Sequence, residues 1–294
     1  MQLKDVTSRK RLMTIGLGVL VVGVLVWSLI PKPVKVDSAL VKAGIFEEKV
    51  VEDGTTRVRD KYIVSSPVDG ILPRLTWNPG DHVKKGEVLF RMQWDEDRKV
   101  LSPVGGEVLR VLLKDKGFVT KGTPIVELGD ASSLEIVVDV LTSNAVAVQS
   151  GDPVLIEGWG GAPLQGKVRQ IEPSAFTKVS ALGVEEQRVN VVVDITSPQN
   201  DWVTLGDHFR VECHIIVDRI ENAVLAPTAA LFQSEGSWAV YRIKGGVAVL
   251  TPIRVGKKGP VDSTVLEGLS AGDRVVVYPG DAVESGVRVT SLFH

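Results

Sequence analysis

The chain has 294 residues, of which 44% are apolar and 24% charged, a balance typical of globular proteins long enough for two or more domains. A single cysteine, Cys213, excludes an intrachain disulfide framework and a zinc cluster of cysteines, and the four histidines show no metal-ligand spacing. The net charge is −2; four cations and one carboxylate in residues 1–11 give +3, which leaves −5 elsewhere and indicates no nucleic-acid-binding face.

An uncharged stretch near the N-terminus predicts a membrane-spanning helix. Residues 12–30 are 19 consecutive residues without a charge, and as a helix they would span roughly 28 Å, about the hydrocarbon core of a bilayer. The basic cluster at residues 9–11 predicts that the N-terminus is cytoplasmic and that everything after Pro31 lies beyond the membrane. A cleaved signal peptide is the alternative; the apolar run exceeds a signal core of about 7–15 residues and no small-x-small site follows, which favours the anchor.

Beyond this segment, the residue pattern predicts a mainly β protein. Val, Ile and Thr recur in short alternating runs bounded by Gly, Pro, Asn and Asp, and helical periodicity nearly vanishes. The exception is a short helical turn predicted at residues 143–149, with Ser143 as its cap. In the strand predicted at residues 209–217, alternation places Cys213 on the apolar face, so it is predicted to be a core residue. Further strands are predicted at residues 34–41, 46–59, 134–140, 166–171, 187–193, 224–226, 238–243, 247–255 and 274–277.

An internal repeat is the most informative feature. The sequence SPVDGILPRLTWNPGDHVKKGEVLF, from residue 66, recurs 36 residues later as SPVGGEVLRVLLKDKGFVTKGTPIV, with 8 identities in 25 positions. Each copy combines glycine turns with alternating apolar residues, the pattern of short paired strands. Neither copy can bury an apolar face alone, so the two copies are predicted to face each other. The turn glycines are Gly70, Gly80, Gly86, Gly106, Gly117 and Gly122.

Three features together resemble the HlyD-type membrane fusion proteins, the periplasmic adaptor subunits of bacterial efflux and secretion systems. They are the anchor followed by residues 36–39 and 56–62 (TRVRDKY), the two half-motifs, which resemble halves of a biotinyl/lipoyl domain, and the later segments 180–189, 225–231 and 266–275. The resemblance covers essentially the whole chain. It implies a β protein of several domains that does no covalent chemistry, carries no cofactor, and assembles as a homo-oligomeric ring on an inner-membrane transporter of the ABC or RND type.

The resemblance also implies domain boundaries. A cytoplasmic tail (residues 1–11) and the transmembrane helix (12–31) come first. A membrane-proximal β domain is built from residues 32–45 and 219–294, a β-barrel domain from 46–62 and 131–218, and a lipoyl/biotinyl-like β-sandwich from 63–130.

The join between the two half-motifs departs from the family pattern. Many such adaptors insert a long α-helical hairpin there, whereas residues 91–101 (RMQWDEDRKVL) are 11 residues in all. A paired hairpin needs two helices of at least about 12–15 residues each. The hairpin is therefore predicted to be absent, and with it the element that reaches an outer-membrane channel.

The same join is where biotin- or lipoate-carrying domains present a modified lysine. A carrier or regulatory module of a membrane-bound enzyme complex is therefore the alternative function. The alignment puts Asp95 near the apex of the turn and Lys99 four residues too late, which favours an unmodified acidic turn.

Glu185, Glu186 and Arg188 are the predicted contact residues, because in the family this segment lies near the places where neighbouring subunits or the transporter meet. A solvated strand edge is the alternative interpretation. The glycines of the repeat are a second candidate, since they would place the domain tips around a ring; turn geometry that requires small residues is the favoured explanation.

Enzymatic and metal sites find little support in the sequence. No Gly-x-Ser-x-Gly, Walker loop or zinc-protease helix is present. His208 and His214, with Glu212 between them, are interpreted as lying on one strand face, where they could bind a metal, although a solvated outer face is favoured. No metal site is predicted.

Overall fold

The computed structural model describes residues 33–93 and 98–292 and is mainly β. In chain order, its strands are β1 (Val34–Leu40), β2 (Lys42–Val58), β3 (Lys61–Ser65), β4 (Gly70–Leu72), β5 (His82–Val83), β6 (Val88–Met92), β7 (Arg98–Leu101), β8 (Gly106–Val111), β9 (Gly117–Val119), β10 (Pro124–Gly129), β11 (Leu134–Leu141), β12 (Pro153–Glu157), β13 (Leu164–Val179), β14 (Glu185–Ile195), β15 (Arg210–Pro227), β16 (Phe232–Ser234), β17 (Ser237–Lys244), β18 (Val247–Pro252), β19 (Arg254–Lys258), β20 (Asp262–Glu267), β21 (Arg274–Val277) and β22 (Val289–Leu292). One short α-helix, α1 (Thr142–Ala145), and 3-10 turns at Gln199–Asp201 and Thr228–Ala230 complete the described elements.

The described residues form two compact units, one of residues 33–46 and 219–292 and the other of residues 47–93 and 98–218. The predicted transmembrane segment and cytoplasmic tail lie outside the described residues. Within the residues that are described, no helix is long and apolar enough to cross a membrane.

The first unit contains a sheet that joins both ends of the described chain. Its strand order is β16-β17-β21-β1-β22, with β18 paired to β17. β1 runs antiparallel to β21 and parallel to β22, so this early strand is held between two late ones. Val36, Val240 and Val275 are among its buried residues.

The second unit contains a closed barrel. The strands pair in the order β12-β13-β14-β11-β2-β15, and β12 also pairs with β15, which completes a ring of six strands. Alternate residues point inwards, as strand geometry dictates, so that Ile136, Val193, Cys213 and Ile215 are fully buried. Burial raises the pKa of the Cys213 thiol to about 12, which makes it an inert core residue, as the sequence predicts.

The predicted helical turn is shorter than expected and is not capped by a side chain. α1 begins at Thr142 after Leu141, and no side-chain hydrogen bond caps it. The prediction of Ser143 as the cap is wrong, because Ser143 lies inside the first turn.

The repeat region, residues 61–129, consists of a four-stranded sheet (β3-β10-β8-β5) and the strand pairs β4–β9 and β6–β7. The two copies exchange equivalent contacts, as the repeat predicts. The Gly86 N–H donates to the Ser102 carbonyl over 2.8 Å, and the Gly122 N–H donates to the Ser66 carbonyl over 2.7 Å. Gly86 and Gly122 are equivalent positions of the two copies, and so are Ser66 and Ser102. The first copy donates in one bond and accepts in the other. The two half-motifs therefore face each other around an approximate two-fold axis.

The join between the copies is a short connection. β6 and β7 pair antiparallel, with Arg91 opposite Lys99 and Met92 opposite Arg98. Only residues 93–97 link the two paired ends, and residues 94–97, which include the predicted apex residue Asp95, lie outside the described residues. Five residues cannot form the two paired helices of a hairpin.

Candidate functional site

A long β-hairpin of the barrel carries the predicted contact residues. β13 and β14 pair up to their tip, with Val179 opposite Glu185 and Lys178 opposite Glu186. The Ser180 N–H donates to the Val184 carbonyl over 2.8 Å to close the turn. Gly183 in this turn has φ = +79°, a conformation that glycine adopts without strain.

Arg188 lies opposite Phe176, near the tip end of this hairpin, and is held by its own chain. Its Nη1 donates to Glu52 over 2.9 Å and to the Asp139 carbonyl over 2.6 Å, and its Nη2 donates to Glu186 over 2.8 Å. Its side chain is only 16% exposed. Burial by itself lowers the pKa of Arg188, but the carboxylates of Glu186 and Glu52 outweigh it and raise the pKa, so the guanidinium stays charged.

The interpretation as a solvated strand edge is wrong for Arg188, whereas residues 185–187 pair with β13 alone and Glu185 is exposed. β14 lies between β13 and β11, with Arg188 opposite Phe176 on one side and Leu141 on the other. The backbone around Arg188 is therefore paired on both sides.

Glu186 and Arg188 line a polar cleft of about 220 Å³ beside the hairpin. Four carboxylates and two cations line it, which gives a net charge of −2, and Lys178 forms an ion pair with Asp139 there. Glu185 is not among the lining residues, which are Glu52, Asp53, Asp139, Lys178, Val179, Ser180, Ala181, Glu186 and Arg188. The cleft offers hydrogen bonds and ion pairs, and it suits recognition of another polar surface.

The hairpin tip exposes apolar side chains that the sequence pattern did not predict as contact residues. Leu182 is 91% exposed, Val179 62% and Val184 58%. The signal in the sequence was an apolar residue on each side of the turn residue Gly183, where a solvated turn would carry polar residues. The tip therefore presents an apolar patch next to a charged cleft, within the same hairpin.

Four of the six repeat glycines occupy positions explained by backbone geometry or close packing. Gly80, Gly86 and Gly122 have φ of +91°, +81° and +85° in tight turns. Gly106 packs against the Gly129 carbonyl, which a Cβ would approach to 2.5 Å. Gly70 is buried in β4, and Gly117 has open space around it. Their placement of domain tips around a ring remains a prediction.

The interpretation that His208 and His214 share a strand face is wrong. His208 precedes β15, has φ = +61°, and its Nε2 lies 3.4 Å from Lys61 Nζ. His214 lies within β15 and its Nε2 lies 2.7 Å from Glu212. The turn before β15 breaks the alternation on which the interpretation depended.

Residues 223–291 match the family model described as YknX, C-terminal permuted SH3-like domain. This segment makes up most of the unit formed by residues 33–46 and 219–292. No curated protein sequence matches the chain.

Solved structures match at low sequence identity. MacA from Actinobacillus actinomycetemcomitans is 15% identical, with a TM-score of 0.64, over 82% of this chain and 99% of that chain. A MacA-MexA chimeric protein containing the Pseudomonas aeruginosa MexA alpha-hairpin domain is 15% identical, with a TM-score of 0.57, over 82% and 99%. The membrane fusion protein Spr0693 from Streptococcus pneumoniae R6 is 14% identical, with a TM-score of 0.42, over 56% and 98%.

The predicted resemblance to membrane fusion, or periplasmic adaptor, proteins is confirmed at the level of the fold. The chain shares the mainly β fold of MacA over most of its length, and its C-terminal part matches a YknX-type domain.

Proposed function

We propose that this protein is a periplasmic adaptor subunit that assembles on an inner-membrane export transporter, of the ABC or RND type, and supports substrate efflux across the envelope. The observation that carries the proposal is the fold shared with MacA over 82% of the chain. The predicted N-terminal anchor would fix the orientation, with a cytoplasmic N-terminus and the rest of the chain periplasmic. The role is non-covalent, in a homo-oligomeric ring that shapes a conduit or stabilises a transport-competent state.

The β13–β14 hairpin is the contact element that we propose within this assembly. Its tip exposes Leu182 and Val184, and Glu185 and Glu186 follow directly at the start of β14. An apolar centre with a charged rim is the usual make-up of a protein–protein interface. Arg188 acts indirectly, since it is bound to Glu52 and Glu186 and holds Glu186 in place.

Purification of the intact chain from mild detergent, followed by identification of the co-eluting membrane proteins, tests the proposal. An export permease is the expected partner, and recovery of a carboxyltransferase in its place would contradict the adaptor function. The variant Leu182→Asp should reduce recovery of the permease or of the oligomer. Val203→Asp is the matched control, because Val203 is 73% exposed elsewhere in the same unit.

Charge reversal at Arg188 would be a poor test of contact. It would place an anion against Glu52 and Glu186, so it would test folding more than assembly. Glu185→Lys changes an exposed residue and leaves the buried pairs intact. If both Leu182→Asp and Glu185→Lys leave oligomer and transport unchanged, the hairpin is not a contact element.

No described contact favours the alternative carrier function. Lys99 lies within β7, opposite Arg91 of β6. The intact mass of the purified chain should therefore show no biotin or lipoate adduct, and an adduct at Lys99 would overturn the adaptor proposal.

A further inference from the structure

The outer face of the barrel carries three metal-ligating side chains that take no part in the contacts proposed above. Glu157 ends β12, and Glu212 and His214 lie on β15. In the ladder between these strands Glu157 is opposite Glu212, and Leu155 is opposite His214. Since Val211, Cys213 and Ile215 point into the core, Glu212 and His214 project from the other face.

One ligand atom from each of the three residues lies within 4.8 Å of the other two. His214 Nε2 is 3.5 Å from Glu157 Oε2 and 2.7 Å from Glu212 Oε1. Two ligands of a tetrahedral zinc ion, each at about 2.0–2.2 Å from the metal, are roughly 3.3–3.5 Å apart. The first distance already fits that geometry, and the second requires a shift of under about 1 Å in an exposed carboxylate.

The electrostatics of the group favour a cation. Carboxylates directly opposite each other in a ladder repel, and His214 is the only ion-pair partner found for Glu157 and Glu212 among the described residues. Arg210, two residues before Glu212 on the same strand, attracts Glu212 but is bound to Asp53 over 2.8 Å. A divalent ion would neutralise the opposed pair.

We propose that Glu157, Glu212 and His214 bind one divalent cation, with zinc the best match. One imidazole and two carboxylates suit a borderline metal such as Zn²⁺, whereas soft Cu(I) prefers thiolate or thioether ligands. The fourth position faces solvent, because the side chains of Glu157 and Glu212 are 38% and 52% exposed. The bound ion would therefore keep a water ligand and exchange readily.

The location gives the site a structural role. The pairing of β12 with β15 closes the six-stranded barrel. An ion held by Glu157 from one strand and by Glu212 and His214 from the other links the two sides of that seam. Because the ion binds the folded barrel, it would raise the melting temperature of the unit that contains the barrel.

The test is a titration of the untagged full chain, purified in detergent and treated with chelator, with ZnCl₂. Calorimetry should give one Zn²⁺ per chain, and MgCl₂ in its place should give no comparable heat. Glu157→Gln and His214→Gln should each weaken the affinity at least about tenfold. His82→Gln is the matched control, because His82 is exposed and faces a single carboxylate, that of Glu107, at 3.4 Å.

A second measurement keeps the test decisive if a variant folds poorly. Co²⁺ in the wild-type chain should give the strong visible absorption of a tetrahedral site, and Zn²⁺ should abolish it. Zn²⁺ should also raise the melting temperature of the wild type and of His82→Gln, and not that of Glu212→Gln. Absence of Zn²⁺ binding by the wild type, or unchanged binding in both ligand variants, would overturn the proposal.

Discussion

The two copies of the repeat have the same backbone contacts but different surfaces. Ile71 pairs with Phe118 in β4–β9, and the equivalent pair one repeat away is His82 with Glu107 in β5–β8. Ile71 and Phe118 are 39% and 61% exposed, so the first position is an apolar surface pair and the second a polar one. The difference shows that pairing and burial maintain the repeat, while its surface positions are free to diverge.

The buried positions of the two copies lead to the same conclusion as their surfaces. Residues 36 apart are buried together even where they are not identical. The equivalent buried pairs are Leu72 with Val108, Val83 with Val119, Leu89 with Ile125, Phe90 with Val126 and Met92 with Leu128. Only one of these pairs is an identity, so what the two copies share is the set of positions that bury an apolar side chain.

The largest expected effect comes from the centre of this shared interior. Leu72 is 0% exposed and Val108 is 1% exposed at equivalent positions. Leu72→Ala should lower the free energy of unfolding by about 4 kcal/mol, because it leaves a cavity as well as losing burial, and Val108→Ala should lower it by about 2 kcal/mol. Hydrogen exchange of β10, which lies in the repeat region, is the measurement. If both substitutions lowered the free energy of unfolding by the same amount, Leu72 and Val108 would not be packed equivalently in the two copies.

Gly106 gives the next effect, because it packs closely against the backbone of β10. A Cβ at this position would lie 2.5 Å from the Gly129 carbonyl oxygen, whereas at Gly117 nothing lies within 4 Å. Gly106→Ala should cost about 3 kcal/mol and Gly117→Ala less than about 1 kcal/mol. The same exchange measurement compares them. A tolerated alanine at Gly106 would mean that β8 and β10 can separate without loss of the fold.

The sequence alone could predict the repeat and its facing copies because both depend on local alternation and glycine turns. It also placed Cys213 in the core, since neighbouring residues of one strand set that face. It could not predict that Arg188 binds Glu52, which is 136 residues away in the chain, because nothing local specifies which strands become neighbours. The turn at His208 was missed for a different reason, since its φ of +61° is uncommon for a residue other than glycine.

A second difference between the copies is the connection of the first copy to the barrel. Lys61 Nζ, at the start of β3, donates to Asp207 over 2.7 Å, and the Val58 N–H donates to the same carboxylate over 2.9 Å. Burial by itself raises the pKa of Asp207, but these hydrogen bonds outweigh it and hold the pKa below its usual value of 3.8. The carboxylate therefore stabilises the folded state most when it is ionised.

Asp207→Asn should destabilise this connection by about 2 kcal/mol at pH 7. A carboxyl whose folded pKa lies below its unfolded pKa contributes stability that is full above the unfolded pKa and is lost as pH falls through the folded pKa. The gap between wild type and Asp207→Asn should therefore shrink below about pH 4. Thermal unfolding at pH 7 and pH 3 measures the gap, and a gap that is equal at both would contradict the role of the ionised carboxylate. Asp69→Asn is the control, because Asp69 is exposed and accepts the Lys121 N–H in a turn.

The smallest effect is expected at the exposed pair of Ile71 and Phe118. Replacing the apolar pair by the polar one, as Ile71→Glu with Phe118→His, should change the free energy of unfolding by no more than about 0.5–1 kcal/mol. Both positions are partly exposed, and cross-strand pairs contribute about that much. Urea unfolding followed by circular dichroism measures it, with each single substitution as its control. A cost above about 2 kcal/mol would mean that this pair belongs to the interior, and that the surfaces of the two copies are less free to diverge than their exposure indicates.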